Sequence, residues 1–180
     1  MSRNHDNRLY EVLIDTLGSS VFKDKSVLDV GCGGQYADSK IVREMGAFIT
    51  AMDTVKKCET PDGIRFVQSD FTAWNADVPV DIVYMSNSAQ FMPVESVFKK
   101  IEEINPEIIA VRTMFDYPIP NWEPPVLQKL YFTTEEDWKT RFESRGYETM
   151  LAIKYEKDAN DMRGDRRHFH VVEYIGRKKA

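Results

Sequence analysis

Apolar positions along the chain change period repeatedly. Leu9, Val12, Leu13 and Leu17 fall at helical spacing, and Gly18 follows them. Ser26 to Val30 is short and apolar, as a buried strand would be. Ile41, Val42 and Met45 then mark one face of a helix over 36–45, closed by Gly46. The runs 47–52, 64–68 and 80–85 are too short for helices and rich in β-formers, so each predicts a strand. Val97, Phe98, Ile101 and Ile104 place a helix over 94–104, and 108–111 predicts a fifth strand bounded by Pro106. Buried strands alternating with helices imply a parallel, doubly wound sheet between two helical layers. The connection 54–63 holds Pro61 and Gly63, which leaves room for a turn or one helical turn but no full crossover helix.

The pattern changes after Thr113. Residues 114–131 carry Pro118, Pro120, Pro124 and Pro125 among Phe115, Tyr117, Trp122 and Tyr131, which predicts a long covering loop. Thr133 or Thr134 before three acids predicts a helix start, with Gly146 as its stop. Two strands follow, 147–155 and 169–175, around a charged loop at 156–167. Strands without an intervening helix predict an antiparallel pair at the sheet edge, with an antiparallel C-terminal strand. The tail Arg177-Lys178-Lys179 is expected to be solvated and frayed. The sheet expected from this count is seven-stranded and mostly parallel.

At 180 residues one domain is expected, with a lead-in over 1–25, a ligand-binding half over 26–113 and an acceptor half over 114–180. A net charge of -5 weighs against a nucleic-acid partner. Two cysteines build no disulfide framework, and three histidines without paired spacing lead us to expect no metal. No run reaches the roughly 18 apolar residues of a membrane span and no leader pattern opens the chain, so a reduced cytoplasmic setting is expected.

The chemistry concentrates in Val27-Leu28-Asp29-Val30-Gly31-Cys32-Gly33-Gly34. A buried strand ending in Gly-x-Gly turns sharply and lets a nucleotide-like ligand approach the main chain, with a helix N-terminus facing the same crevice. Asp53 ends the second strand 20 residues after Gly33, where an acid can accept from two ribose hydroxyls. Asp70 follows the third strand with Phe71 beside it, and Ser86-Asn87-Ser88 follow the fourth.

This series resembles the class I methyltransferases that use S-adenosylmethionine, in particular the small type 11 and type 12 members. The resemblance implies a three-layer Rossmann-like α/β fold. It also implies a cofactor site formed by Asp29, Gly31, Cys32, Gly33, Gly34, Tyr36, Asp53, Thr54, Ser69, Asp70, Phe71, Ser86 and Asn87. In that reading Asp29 orients the glycine loop or meets the cofactor's ammonium group. Asp53 holds the ribose, Asp70 meets the adenine amino group and Phe71 lies against the ring. Cys32 reads as a small filler of the turn. Gln35 stands where many relatives have a third glycine, and the connection 54–63 is shorter than theirs. A dinucleotide oxidoreductase fits less well, because Tyr36 occupies the position of its last small residue.

On the acceptor side the candidates are Asn87, Arg112, Asp116, Tyr117 and Trp122. Arg112 either binds an acidic acceptor or forms an edge ion pair, and Trp122 either lids the pocket or packs on the domain. Gln90 and Phe91 stand where the family often has a histidine pair, so no base is carried over. The amino-methylating signature of DNA enzymes is absent. His168 and His170 alternate along a strand on what reads as its solvated face, and Arg163, Arg166 and Arg167 read as a solvated basic loop. The expected activity is in-line methyl transfer to a small molecule. A cofactor-binding or regulatory protein without catalysis is the alternative, and RNA or protein acceptors fit less well.

Overall fold

The computed structural model describes residues 8–56, 58–116, 131, 133–160 and 166–180. Seven strands form one sheet. They are β1 (Ser26–Val30), β2 (Phe48–Asp53), β3 (Ile64–Gln68), β4 (Ile82–Ser86), β5 (Ile108–Asp116), β6 (Tyr147–Asn160) and β7 (Arg166–Lys178). Their spatial order is β3-β2-β1-β4-β5-β7-β6. The first five are parallel, while β7 runs antiparallel to both β5 and β6. The antiparallel pair lies at one edge, as the pattern predicts. The last strand is inside it, and β6 carries the edge itself.

Among the described residues four α-helices pack on the sheet: α1 (Leu9–Leu17), α2 (Ala37–Glu44), α3 (Val94–Ile104) and α4 (Glu135–Glu143). Consecutive strand residues feed opposite layers. Ile82, Tyr84, Ile108 and Ala110 join the core that holds α1 and α2. Val83, Met85, Ile109 and Val111 join the core that holds α3 and α4. A strand buried on both faces needs apolar residues at every position, which is why these runs do not alternate. Trp138 and Phe142 of α4 stack on Tyr174 of β7. Burial of a side chain such as Phe142 stabilises by ~1.5–3 kcal/mol. The start of α4 is a capping box. Thr134 Oγ1 accepts the Asp137 amide at 3.0 Å, and the Thr134 amide donates to the Asp137 carboxylate at 2.8 Å.

Several boundaries depart from the sequence pattern. β4 begins at Ile82, after Asp81, whose carboxylate accepts the Ser26 amide and hydroxyl at 2.8 Å and so belongs to the strand entry. β5 continues to Asp116 because β7 pairs with it as far as His170. β6 and β7 extend into the stretch expected as a charged loop, since Glu156 opposes His170 and Asp158 opposes His168 across the ladder. The tail is paired rather than frayed: Lys178 donates its amide to Glu107 and Lys179 to Gly146, each at 2.8 Å.

The described part of 54–63 holds bends and a turn without a helix, in line with its short length. The link from β3 to β4 is also irregular, with one tight turn in which Trp74 donates to the Asp70 carbonyl at 3.0 Å. No helix among the described residues is long and apolar enough to cross a membrane.

Candidate active site

The chain leaves β1 for β2 on one side and returns across it to β4 on the other. This change of direction opens a crevice at the carboxyl ends of β1 and β4, the place where doubly wound sheets bind ligands. The chain crosses that crevice with Gly31 at φ +72° and Gly33 at φ +68°, both left-handed. A Cβ on Gly31 would come within 2.4 Å of Ser88 Cβ, whereas one on Gly33 would meet nothing within 4 Å. Gly31 is therefore demanded by packing. Gly33 is demanded by backbone conformation and leaves space above it.

Hydrogen bonds tie this loop to β2. The amides of Gly31 and Cys32 donate to the Met52 carbonyl at 2.8 and 3.0 Å. The Gly33 amide donates to Asp53 Oδ2 at 3.1 Å, while Asp53 Oδ1 accepts from the Val55 amide at 3.1 Å. Ser69 donates its amide to the Asp53 carbonyl, which brings the end of β3 alongside. Cys58 Sγ donates to the Gly34 carbonyl, and Gln68 Nε2 donates to the Thr54 carbonyl at 3.2 Å.

Beneath the loop, Asp29 is buried and accepts from Ser39 Oγ at 2.5 Å. Burial pushes its carboxyl up to about 7, against the pull of the Ser39 bond, with the charges of Asp38 and Asp53 adding to the rise. Burial chiefly, and then Asp29 and Asp53, push the Cys32 thiol up to about 12. Cys32 therefore stays a neutral thiol and no nucleophile. In the first turn of α2, Asp38 accepts from Tyr84 Oη at 2.6 Å and from Arg8 at 2.9 Å.

Tyr36 and Phe71 sit differently from the other cofactor candidates. The Tyr36 ring lies in the core, edge-on to Phe66 at 5.8 Å between centroids, so only its backbone borders the loop. Phe71 is buried with Trp74. Asp70 is exposed, and its Oδ1 accepts from both the amide and the hydroxyl of Thr72 at 2.7 Å.

At the end of β4, Ser86 leads into Asn87, which adopts φ +61° and donates its amide to the Arg112 carbonyl at 2.8 Å. Ser88 Oγ donates to the Val30 carbonyl at 2.5 Å and braces the glycine turn. Gln90 lies in a 3₁₀ turn (Ala89–Phe91) and is buried. Its Nε2 donates to the Asn87 carbonyl, its Oε1 accepts from Thr113 Oγ1, and its carbonyl accepts from the Tyr131 amide. Sequence reasoning noted Gln90 only as a missing histidine. Its signal was an uncharged amide inside an otherwise apolar turn.

Arg112 is not at a strand end. It lies mid-strand and buried, with Nε and Nη2 donating to Glu173 Oε1 at 2.7 and 2.5 Å. Tyr155 Oη donates to the same oxygen at 2.8 Å. Of the two roles open to Arg112, the structure places it in the ion pair, between strands rather than at the edge. Tyr117 and Trp122 lie outside the described residues, as does the side chain of Asp116.

The loop, the Asp53 end of β2, Ser69 and Asp70 after β3, and Ser86 and Asn87 after β4 thus line one edge of the sheet. Solved structures share this fold. An S-adenosylmethionine dependent methyltransferase from Mesorhizobium loti aligns with TM-score 0.67 at 14% identity, over 96% of this chain and 99% of that one. The Burkholderia thailandensis 1,6-didemethyltoxoflavin-N1-methyltransferase, solved with its substrate and S-adenosylhomocysteine, aligns with TM-score 0.63 at 16% identity, over 96% and 77%. The magnesium protoporphyrin IX methyltransferase of Synechocystis, solved with S-adenosylmethionine, aligns with TM-score 0.65 at 13% identity, over 95% and 78%. The fold is that of the class I methyltransferases. At identities of 13 to 16%, the likeness to these methyltransferases is one of architecture. No family model and no curated protein matches the sequence.

Proposed function

We propose that this chain is an S-adenosylmethionine-dependent methyltransferase acting on a small molecule. The observation that carries the reading is the bond from the Gly33 amide to the Asp53 carboxylate. It fixes a strand-end acid beside a glycine turn with open space above it, in a fold shared with methyltransferases.

The residues present suit the cofactor. Asp53 accepts two backbone amides and, with about four lone-pair sites, keeps capacity for ribose hydroxyls. The open face above Gly33 admits a chain running toward the amino-acid end. Asp29, at the base of the loop, is poised for an ammonium group, whose charge would hold its carboxylate ionised. Ser69 and Asp70 lie where an adenine would end, and Ser86 and Asn87 face the reacting side. Tyr36 contributes through its backbone, and Phe71 and Cys32 through the shape of the walls.

When bound, the sulfonium supplies an activated methyl carbon for direct displacement. The protein's task is then to align the acceptor and exclude water. We read the chain as one domain, with the acceptor half beginning near residue 114. A reducing compartment such as the cytoplasm suits the two free cysteines.

One observation favours a second reading, a cofactor-binding or regulatory protein without turnover. The Arg112 charge is matched by Glu173 within the sheet, so it is not offered to an acidic acceptor. Calorimetry with S-adenosylhomocysteine, followed by methyl-labelled cofactor with a metabolite panel, separates the readings. Binding with turnover supports the enzyme, and binding without turnover on any acceptor supports the second reading. Absence of binding by folded protein overturns both.

A further inference from the structure

The β6–β7 hairpin projects beyond the last paired residue of β5 and carries a cluster that the cofactor crevice does not use. Glu156 pairs with His170 and Asp158 with His168 in register. Residues directly opposed, and residues two apart, share a face, so all four side chains stand on one side of the ribbon. His168 Nε2 lies 3.3 Å from Glu156 Oε2, and His170 Nε2 lies 3.4 Å from Glu156 Oε1. One donor atom from each of Glu156, His168 and His170 falls within 4.8 Å of the others. The two imidazoles meet edge to face at 5.5 Å between centroids.

A tetrahedral ion with bonds of ~2.0–2.1 Å sets neighbouring donors ~3.4 Å apart, and each imidazole lies about that far from a Glu156 oxygen, Oε2 for His168 and Oε1 for His170. The second observation is Asp158 Oδ1, 2.9 Å from His168 Nδ1. A carboxylate on one ring nitrogen holds the proton there and leaves the other nitrogen's lone pair for a metal. Arg166 reaches the other oxygen of Asp158 at 3.5 Å.

We propose that Glu156, His168 and His170 bind a zinc-class divalent metal ion, with Asp158 as a positioning residue for His168. Two imidazoles and one carboxylate are a zinc donor set, and three protein ligands leave a fourth position open to water or a substrate atom. The site lies by the end of β5, at the carboxyl edge of the parallel sheet. The expectation of no metal rested on spacing within the sequence, but the ligands come from two strands and are joined by register.

The test is calorimetric titration of chelator-treated, full-length protein with zinc chloride, without methyl cofactor, so its outcome is independent of the proposed methyl transfer. One equivalent per chain is expected. Asp158→Asn should weaken binding ~10–100-fold, and His168→Ala and His170→Ala should lose the equivalent while keeping the wild-type circular dichroism. Cobalt(II) in place of zinc should give the intense visible absorption of a tetrahedral site, absent from His168→Ala. The proposal is overturned by the absence of saturable binding. Zinc retained in both histidine variants, or zinc lost in Cys58→Ser, overturns it equally.

Discussion

The Gly33 amide and the Asp53 carboxylate meet at 3.1 Å, so the glycine turn and the end of β2 form one unit. Asp53→Ala removes both a loop anchor and a charged acceptor. It is expected to weaken S-adenosylhomocysteine binding by ~1–3 kcal/mol. Calorimetry checks this, and unchanged affinity would remove Asp53 from the ribose role.

The two glycines of the turn should respond differently to alanine. Gly31→Ala combines a positive φ with a clash against Ser88, costing ~2–4 kcal/mol of stability. Gly33→Ala meets open space, so it costs ~1–2 kcal/mol from backbone conformation alone. Its methyl group projects into the crevice, so ligand affinity should fall more than stability. Chemical denaturation and calorimetry on the same two variants give both quantities.

Asp29 should couple ligand binding to pH. With its carboxyl raised to about 7, ionisation in the fold is disfavoured, so this group subtracts stability as pH rises from about 4 through 7. Asp29→Asn should therefore stabilise the free protein above pH 7 by ~1–3 kcal/mol. The gain should vanish below about pH 3, where both states hold the proton. The same variant should bind S-adenosylhomocysteine more weakly and lose the wild type's affinity gain between pH 6 and 8. Thermal melts across pH, with calorimetry in buffers of different ionisation enthalpy, test both halves.

Breaking the Arg112–Glu173 pair from one side leaves a buried charge. Arg112→Ala is expected to cost ~3–5 kcal/mol. Arg112→Met with Glu173→Leu should recover most of that loss, because no charge then remains unpaired. A double-mutant cycle in urea reports the coupling, and additive losses would show that the two side chains act separately.

The parallel half was legible because β1, β2 and β4 are buried on both faces and read as short apolar runs. β3 and α3 match their predicted ranges residue for residue. Arg112 and the hairpin were harder to read. Arg112 is polar and follows four apolar residues, so the apolar run ends there while the ladder continues to Asp116. Only the partner strand's Glu173 makes a guanidinium tolerable at that position. Glu156 and Asp158 likewise look like loop residues until the opposing strand is known. Asp29, Gly31, Gly33 and Asp53 stood out because strand-end chemistry is local. Ser88 and Gln90 act through contacts with Gly31, Val30 and Thr113, which sequence spacing does not encode.

The position of β7 between β5 and β6 bears on how the chain assembles during synthesis. β6 leaves the ribosome first, yet among the described residues its only neighbour in the sheet is the strand that follows it. Until residues 166–178 emerge, the edges of β5 and β6 that pair with β7 lack their partner. The ribosome-bound intermediate is thus the species most open to mispairing with other chains, and β7 closes both edges as it docks.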